Sequence, residues 1–190
     1  MRFCAHCSST LPALMRSDAR YCSARCRVAG NRRKPDFPTE LVARDRWVRY
    51  SKNKIPLTVE GSTASSMNPI TWSTHDDAVV STAGVGSGFV LNGDGIVCID
   101  IDHCYTDGIL APWAAELLAE FPATYVERSP SGDGLHIWGV ATLPFTGRHI
   151  TFAGHKVEVY GDRRYITITR DPIGHARHLA DLDKALAPLI

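Results

Sequence analysis

The sequence is short of net charge, of long apolar runs and of any leader pattern at its N-terminus. Its 190 residues carry 21 Lys and Arg against 20 Asp and Glu, a formal charge of +1. Overall basicity therefore does not point to nucleic acid, and such a partner would have to meet a local patch. No stretch approaches the continuous apolar length of a membrane helix, and no charged-then-apolar signal segment opens the chain. The expectation is a soluble, cytoplasmic protein with no membrane contact. No serine or cysteine is set beside a histidine in a way that suggests covalent catalysis. What is present, 44% hydrophobic and 22% charged residues, suits one globular core plus a small appendage.

Four of the six cysteines fall as Cys4-x-x-Cys7 and Cys22-x-x-x-Cys26. Two short turns with this spacing can aim four thiolates at one tetrahedral Zn²⁺. The intervening segment, with Pro12 and scattered apolar residues, has too little core to fold unaided, so metal binding would supply its folding energy. Two disulfides are the competing reading, which a cytosolic chain disfavours. His6 could stand in for one thiolate. Arg25, Arg27, Arg32, Arg33 and Lys34 form a basic run beside this knuckle and tilt its use towards nucleic acid, although such modules also dock proteins or brace a terminus. Cys98 is read as a small hydrophobe packed near the strand, and neither Cys98 nor Cys104 is assigned a catalytic part.

Pro35 and Pro38 among charges mark a linker, dividing the chain into a zinc-binding knuckle at 1–34, a linker at 35–40 and a main domain at 41–190. Within that domain, alternation predicts a strand over 46–50, and a short helix is expected over 73–80. Phe89-Val90-Leu91 and the strand after Asn92-Gly93-Asp94-Gly95 read as a hairpin. Pro112 opens a helix carrying Trp113, Leu117, Leu118 and Phe121. The segments 125–127 and 135–138 flank a loop, and 156–160 with 165–169 read as a second hairpin around Gly161-Asp162. Leu179, Leu182, Leu186 and Leu189 suit a closing helix. A sheet packed on helices, an α+β domain, follows.

The most informative segment is Gly95 to Asp102, which ends Asp100-Ile101-Asp102. Residues two apart share one face of a strand, so the two carboxylates lie together, opposite Val97, Ile99 and Ile101. Like charges this close repel unless a cation lies between them. The same phase recurs elsewhere: His136 opposes Leu135 and Ile137, and Glu158 opposes Val157 and Val159. If these strands share a sheet, three carboxylates and a histidine converge, the groups needed for two-metal phosphoryl transfer. His136 then suits donation to a phosphate oxygen. Ser129, Ser131 and Asp133, with Gly132 and Gly134 permitting close approach, could form a phosphate-facing loop, with Arg128 or Arg164 as the cation. Singly, each has a plainer reading: a solvated strand end, a structural histidine, an exposed strand glutamate, a hairpin turn. Lys54 reads as a solvated loop charge.

Taken in order, these motifs resemble the archaeo-eukaryotic primase superfamily, especially the primase-polymerase domains of phages and plasmids. The resemblance runs from about Trp47 to Thr169. It rests on Val97-Cys98-Ile99-Asp100-Ile101-Asp102, on Ser129 to Ile137 ending in His136, and on Val157-Glu158 with Arg164-Tyr165-Ile166-Thr167-Ile168-Thr169 following. It implies that 41–190 is a primase-polymerase catalytic domain with an RRM-like sheet. It also implies that Asp100, Asp102 and Glu158 hold Mg²⁺ or Mn²⁺ and that His136 contacts a nucleoside triphosphate. Many relatives carry serine two residues before the histidine; this chain has Gly134 there, leaving Ser129 or Ser131 as the substitute. Many also carry a helicase or helical priming module after the core, so a separate helicase is an expected partner. The function implied is synthesis or extension of primers on single-stranded DNA in phage or mobile-element replication. A metal-dependent nuclease using the same carboxylates, and a non-catalytic zinc-dependent nucleic-acid-binding protein, are the alternatives.

Overall fold

The computed structural model describes residues 2–4, 7, 9–12, 14–16, 19–32 and 36–190, without the side chains of 29–32. His6, Arg33, Lys34 and Pro35, and the side chain of Arg32, lie outside the described residues. The chain divides into two compact units, Met1–Asp36 and Phe37–Ile190.

In the smaller unit, a bridge between Phe3 and Thr10 closes a turn around Cys4 and Cys7. Helix α1, Ala24–Arg32, carries Cys26 in its first turn. Ser23 Oγ accepts from the Cys26 amide at 3.1 Å, satisfying one of the donors that every helix start leaves open.

The larger unit begins with α2, Thr39–Val42, followed by β1, Trp47–Tyr50, and β2, Pro56–Leu57. Helix α3, His75–Val80, follows, capped by the Thr74 side chain at the Asp77 amide. Next come β3, Gly86–Asn92, β4, Ile96–Ile101, the short β5, Tyr105–Thr106, and β6, Ile109–Leu110. Helix α4, Pro112–Ala119, has its proline in the first turn, where no amide is needed. The chain then runs through β7, Val126–Arg128, β8, Leu135–Val140, β9, Gly147–Phe152, β10, His155–Tyr160, and β11, Asp162–Ile168. It finishes with β12, Pro172–Ile173, β13, Ala180–Asp181, and α5, Asp183–Leu186.

These strands form a four-stranded sheet, β11-β3-β1-β2, and a seven-stranded sheet, β12-β7-β8-β4-β10-β9 with β13 on β8. Pairing in both is antiparallel except for the parallel β13–β8 contact, so the unit is mixed α+β. Strand β4 is central and buried on both faces. Val97, Ile99 and Ile101 pack towards Ala114 and Leu117 of α4 and Leu182 and Leu186 near the C-terminus. Ile96 and Cys98 face the other way, into a core with Phe89, Trp138, Tyr160 and Ile166 beneath the four-stranded sheet. Cys98 is buried, as its reading as a small hydrophobe requires, and Cys104 is buried too. Phe37, inside the segment read as linker, is also buried, with its ring 5.1 Å from Tyr125 and 5.9 Å from Trp47.

Three local expectations are corrected. β3 and β4 do not pair, nor do β10 and β11: β3 pairs β11 in one sheet while β4 pairs β10 in the other. The chain changes sheets twice at one level, where the Gly93 amide donates to the Gly161 carbonyl at 3.0 Å. Gly93 and Gly95 turn there with φ of 80° and 94°, and Asp94 is tied to Arg46 and Arg44. The closing helix is short, because Ala180–Asp181 is extended along β8 and only Asp183–Leu186 coils. Leu179 and Leu182 are buried from extended and capping positions instead.

Candidate active site

The four-stranded sheet covers Ile96 and Cys98 but leaves the Asp100 end of the same β4 face open. Register across the larger sheet places Glu127 of β7 opposite His136 of β8, His136 opposite Asp100 of β4, Asp100 opposite Glu158 of β10, and Glu158 opposite His149 of β9. Directly opposed residues share a face, so acids and imidazoles form a transverse row. His136 Nδ1 lies 3.3 Å from Glu127 Oε1, and its Nε2 lies 3.6 Å from Asp100 Oδ1. His149 Nε2 lies 3.3 Å from Glu158 Oε1.

The two ends of the row differ in kind. Glu127 is fully buried, and its Oε2 accepts from the Tyr125 hydroxyl at 3.0 Å and from the Thr169 and Arg170 amides at 3.2 and 2.9 Å. Those bonds replace the water a buried carboxylate has lost and fix the acceptor that meets His136. Glu158 is bound by Lys156, by His149 and by the Tyr160 hydroxyl. Partial burial works against its ionisation, but the hydrogen bonds from Lys156 and Tyr160 prevail and hold its carboxyl below the usual range. Asp100 has no such support. Burial pushes its carboxyl up, His136 opposes the shift, and Asp102 and Glu158 reinforce it. Its Oδ1 is buried with no hydrogen-bond partner among the described residues. An orphaned carboxylate oxygen beside further carboxylates is an arrangement a divalent cation would satisfy.

A cleft of about 470 Å³ opens over this end of the row, lined by Asp100, Asp102, His136, Ser129, Arg164 and Lys54, with Arg163 and Tyr165 beside them. The structure thus brings together five of the site residues read from sequence. Glu158 adjoins Asp100 in the sheet without lining the cleft. Ser131 lies behind Ser129, the two hydroxyl oxygens 2.9 Å apart, and bonds Asp133. Arg128 is taken up elsewhere, over the Tyr105 ring at 4.2 Å, near Asp171 at 3.5 Å and on the Gly132 carbonyl at 3.1 Å.

Gly134 has a packing reason. A Cβ there would lie 2.6 Å from the Ile101 carbonyl oxygen and 2.7 Å from Ser129 Oγ. The Ser129 hydroxyl thus occupies the space a side chain at 134 would take. Glu127, His149 and Arg163 were missed by the sequence reading, and Lys54, read there as a solvated loop charge, lines the cleft. The signal for Glu127 was there, since it shares a strand face with Tyr125, opposite Val126, in the strand before the loop. Lys54 and Arg163 are backbone cases, both left-handed, with φ of 56° and 53°.

In the smaller unit the sulfurs of Cys4, Cys7, Cys22 and Cys26 all lie within 4.8 Å of one another, and none is in a disulfide. Cys7 and Cys22 are 3.6 Å apart, and Cys22 and Cys26 3.5 Å. Four sulfurs at about 2.3 Å from a tetrahedral zinc stand about 3.8 Å apart, so the cluster could hold that ion. The thiols of Cys26, Cys7 and Cys4 push Cys22 up to about 12, a shift that a cation among the sulfurs would oppose.

A mixed α+β unit with this row and cleft has the make-up of the class the three motifs resemble, the phage-type primase-polymerases. Among curated proteins, the DNA Primase-polymerase of Nitratiruptor phage NrS-1 is 36% identical over 149 residues, covering 74% of this chain and 21% of the phage protein. The chain thus spans about a fifth of that relative's length. No protein-family model matches. Among the described residues no helix is long and apolar enough to cross a membrane.

Proposed function

We propose that the larger unit is the nucleotidyl-transfer centre of a primase-polymerase of phage or mobile-element type, making or extending short strands on a single-stranded DNA template. The observation that carries this reading is the orphaned, buried Asp100 Oδ1 in a row of carboxylates at the floor of an open cleft. Asp100, Asp102 and Glu158 are the residues that would hold Mg²⁺ or Mn²⁺. Such a cation supplies charge that offsets the carboxylate repulsion and the negative charge of departing pyrophosphate. His136, its Nδ1 held by Glu127, presents its other nitrogen to the cleft and donates to a phosphate oxygen of the nucleotide. Ser129 offers a hydroxyl, with Ser131 bracing it, and Arg164 and Lys54 meet the triphosphate charge. Arg128 acts on the same loop through the Gly132 carbonyl. The 3′-hydroxyl of the growing strand attacks the α-phosphorus, and most of the acceleration comes from positioning and charge.

The cysteine cluster belongs to the same proposal as a zinc module that engages nucleic acid through the basic run of α1. The test is incubation of the full chain with single-stranded DNA, Mg²⁺ or Mn²⁺ and labelled nucleotides, with and without an annealed primer, beside Asp102→Asn. Products that lengthen with the native chain and vanish in the variant are expected. Metal-dependent shortening of the template without incorporation would reassign the centre to a nuclease. Binding without either reaction would leave a non-catalytic protein.

A further inference from the structure

A second groove, of about 420 Å³, adjoins the cleft, and Arg163 and Arg164 line both. Arg148 and His149 of β9 line the groove but not the cleft. We infer that this groove binds the phosphate backbone of single-stranded DNA and leads that strand to the acidic cleft; the inference rests on the proposed function for its destination.

Strand β11 is irregular here, with a register shift between Asp162 and Arg164 against β3. On a regular strand, neighbours 163 and 164 would point to opposite faces. The bulge aims both at one groove, at the expense of holding Arg163 at φ 53°, a conformation glycine takes without strain. The other guanidinium groups are held by rings: Arg164 lies 4.5 Å from the Tyr160 centroid and Arg148 4.6 Å from that of Phe145. Among the described residues neither has a carboxylate partner. Asp162 is the single carboxylate in the lining, and it lies 3.6 Å from Arg163 Nε. Exposed guanidinium groups pre-set on aromatic faces, with too little acid to neutralise them, suit a polyanion. Arg148 lies outside the cleft lining, so its charge serves a chain of phosphates running past the nucleotide, not the nucleotide alone.

The experiment measures binding of a fluorescently labelled oligothymidylate to the full chain by anisotropy across a salt series, with no nucleotide added. Arg148→Gln and Arg163→Gly are compared with Lys184→Gln, a charge-matched change on α5. Each phosphate contact on a single strand contributes about 0.7 to the slope of log K against log salt, which is about fivefold in affinity at 0.1 M. Each groove variant should lose about that much, the double variant about twenty-five-fold, and the α5 variant nothing. Arg163→Gly retains the left-handed backbone, so its loss reports charge. Unchanged affinity and slope, or a loss no greater than that of Lys184→Gln, would overturn the inference. So would intact DNA binding with only a raised KM for nucleotide. Failure of nucleotide incorporation, with groove variants still losing DNA, would instead count against the proposed function alone.

Discussion

Substituting Asp100 by Asn exchanges one carboxylate oxygen for an amide nitrogen and removes one negative charge with almost no change of shape. In the native chain Asp100 Oδ1 is buried without a hydrogen-bond partner among the described residues, beside Asp102 and Glu158. Leaving a buried polar atom unpaired costs about 1–3 kcal/mol. A neutral amide escapes the repulsion and can donate to the neighbouring carboxylates, so about 1–2 kcal/mol should be recovered. For a unit of this size that raises Tm by about 3–6 °C. Scanning calorimetry without added divalent cation should therefore show the variant melting above the native protein, although nucleotide incorporation is lost. Mn²⁺ at about one hundred times its Kd should then add about 2.7 kcal/mol to the native protein and far less to the variant, reversing the order. A variant that melts lower than the native chain without metal, or gains equally from Mn²⁺, would refute the account of the acidic row as a cation site held at the expense of stability.

Glu127→Gln keeps its shape, but one carbonyl must serve the Tyr125, Thr169 and Arg170 donors, turning an NH₂ towards His136 Nδ1. Incorporation should fall about 10–100-fold through loss of ring orientation, with about 1–3 kcal/mol of stability; native kcat in the variant would reject the positioning role. Gly134→Ser, although it restores the serine of the related motif, should cost about 1–3 kcal/mol in urea unfolding because its Cβ meets the Ile101 carbonyl oxygen at 2.6 Å. Asp94 is pushed up by burial, but Arg46 and Arg44 outweigh that and hold it below its ordinary 3.8. A depressed carboxyl stabilises the fold above the unfolded-state value and loses that contribution as pH falls through the folded one. Asp94→Asn should accordingly cost about 1–2 kcal/mol at pH 7 and progressively less below pH 4, measured by denaturation across that range. Elemental analysis should find one zinc per native chain and none in Cys22→Ser with Cys26→Ser, with loss of helical signal from α1; a native chain free of zinc would remove the metal from the smaller unit.

Much of the site was legible because β-structure encodes its faces locally. Asp100, His136 and Glu158 announce their shared face through the apolar residues on either side of them, and the cysteine spacing announces a cluster. Both hairpins were misread for a related reason: Asn92 to Gly95 and Gly161-Asp162 carry turn chemistry, but a turn that changes sheets needs the same glycines as one that reverses a strand. Likewise the leucines near the C-terminus have helical spacing, yet Ala180–Asp181 gains more by pairing with β8 than by coiling.

The sequence by itself determined which residues alternate, where the chain turns and which thiols can meet, since each of these depends on neighbours a few positions away. Only the tertiary structure decided that β8, β4 and β10 lie side by side in that order, and so that Glu127 and His149 extend the row at either end. Strand order and register are set by contacts between segments tens of residues apart, and no local pattern carries them. The same holds for the bulge that turns Arg163 and Arg164 to one side. Its position is fixed by pairing with β3, whose own course is set by the crossing of the two sheets.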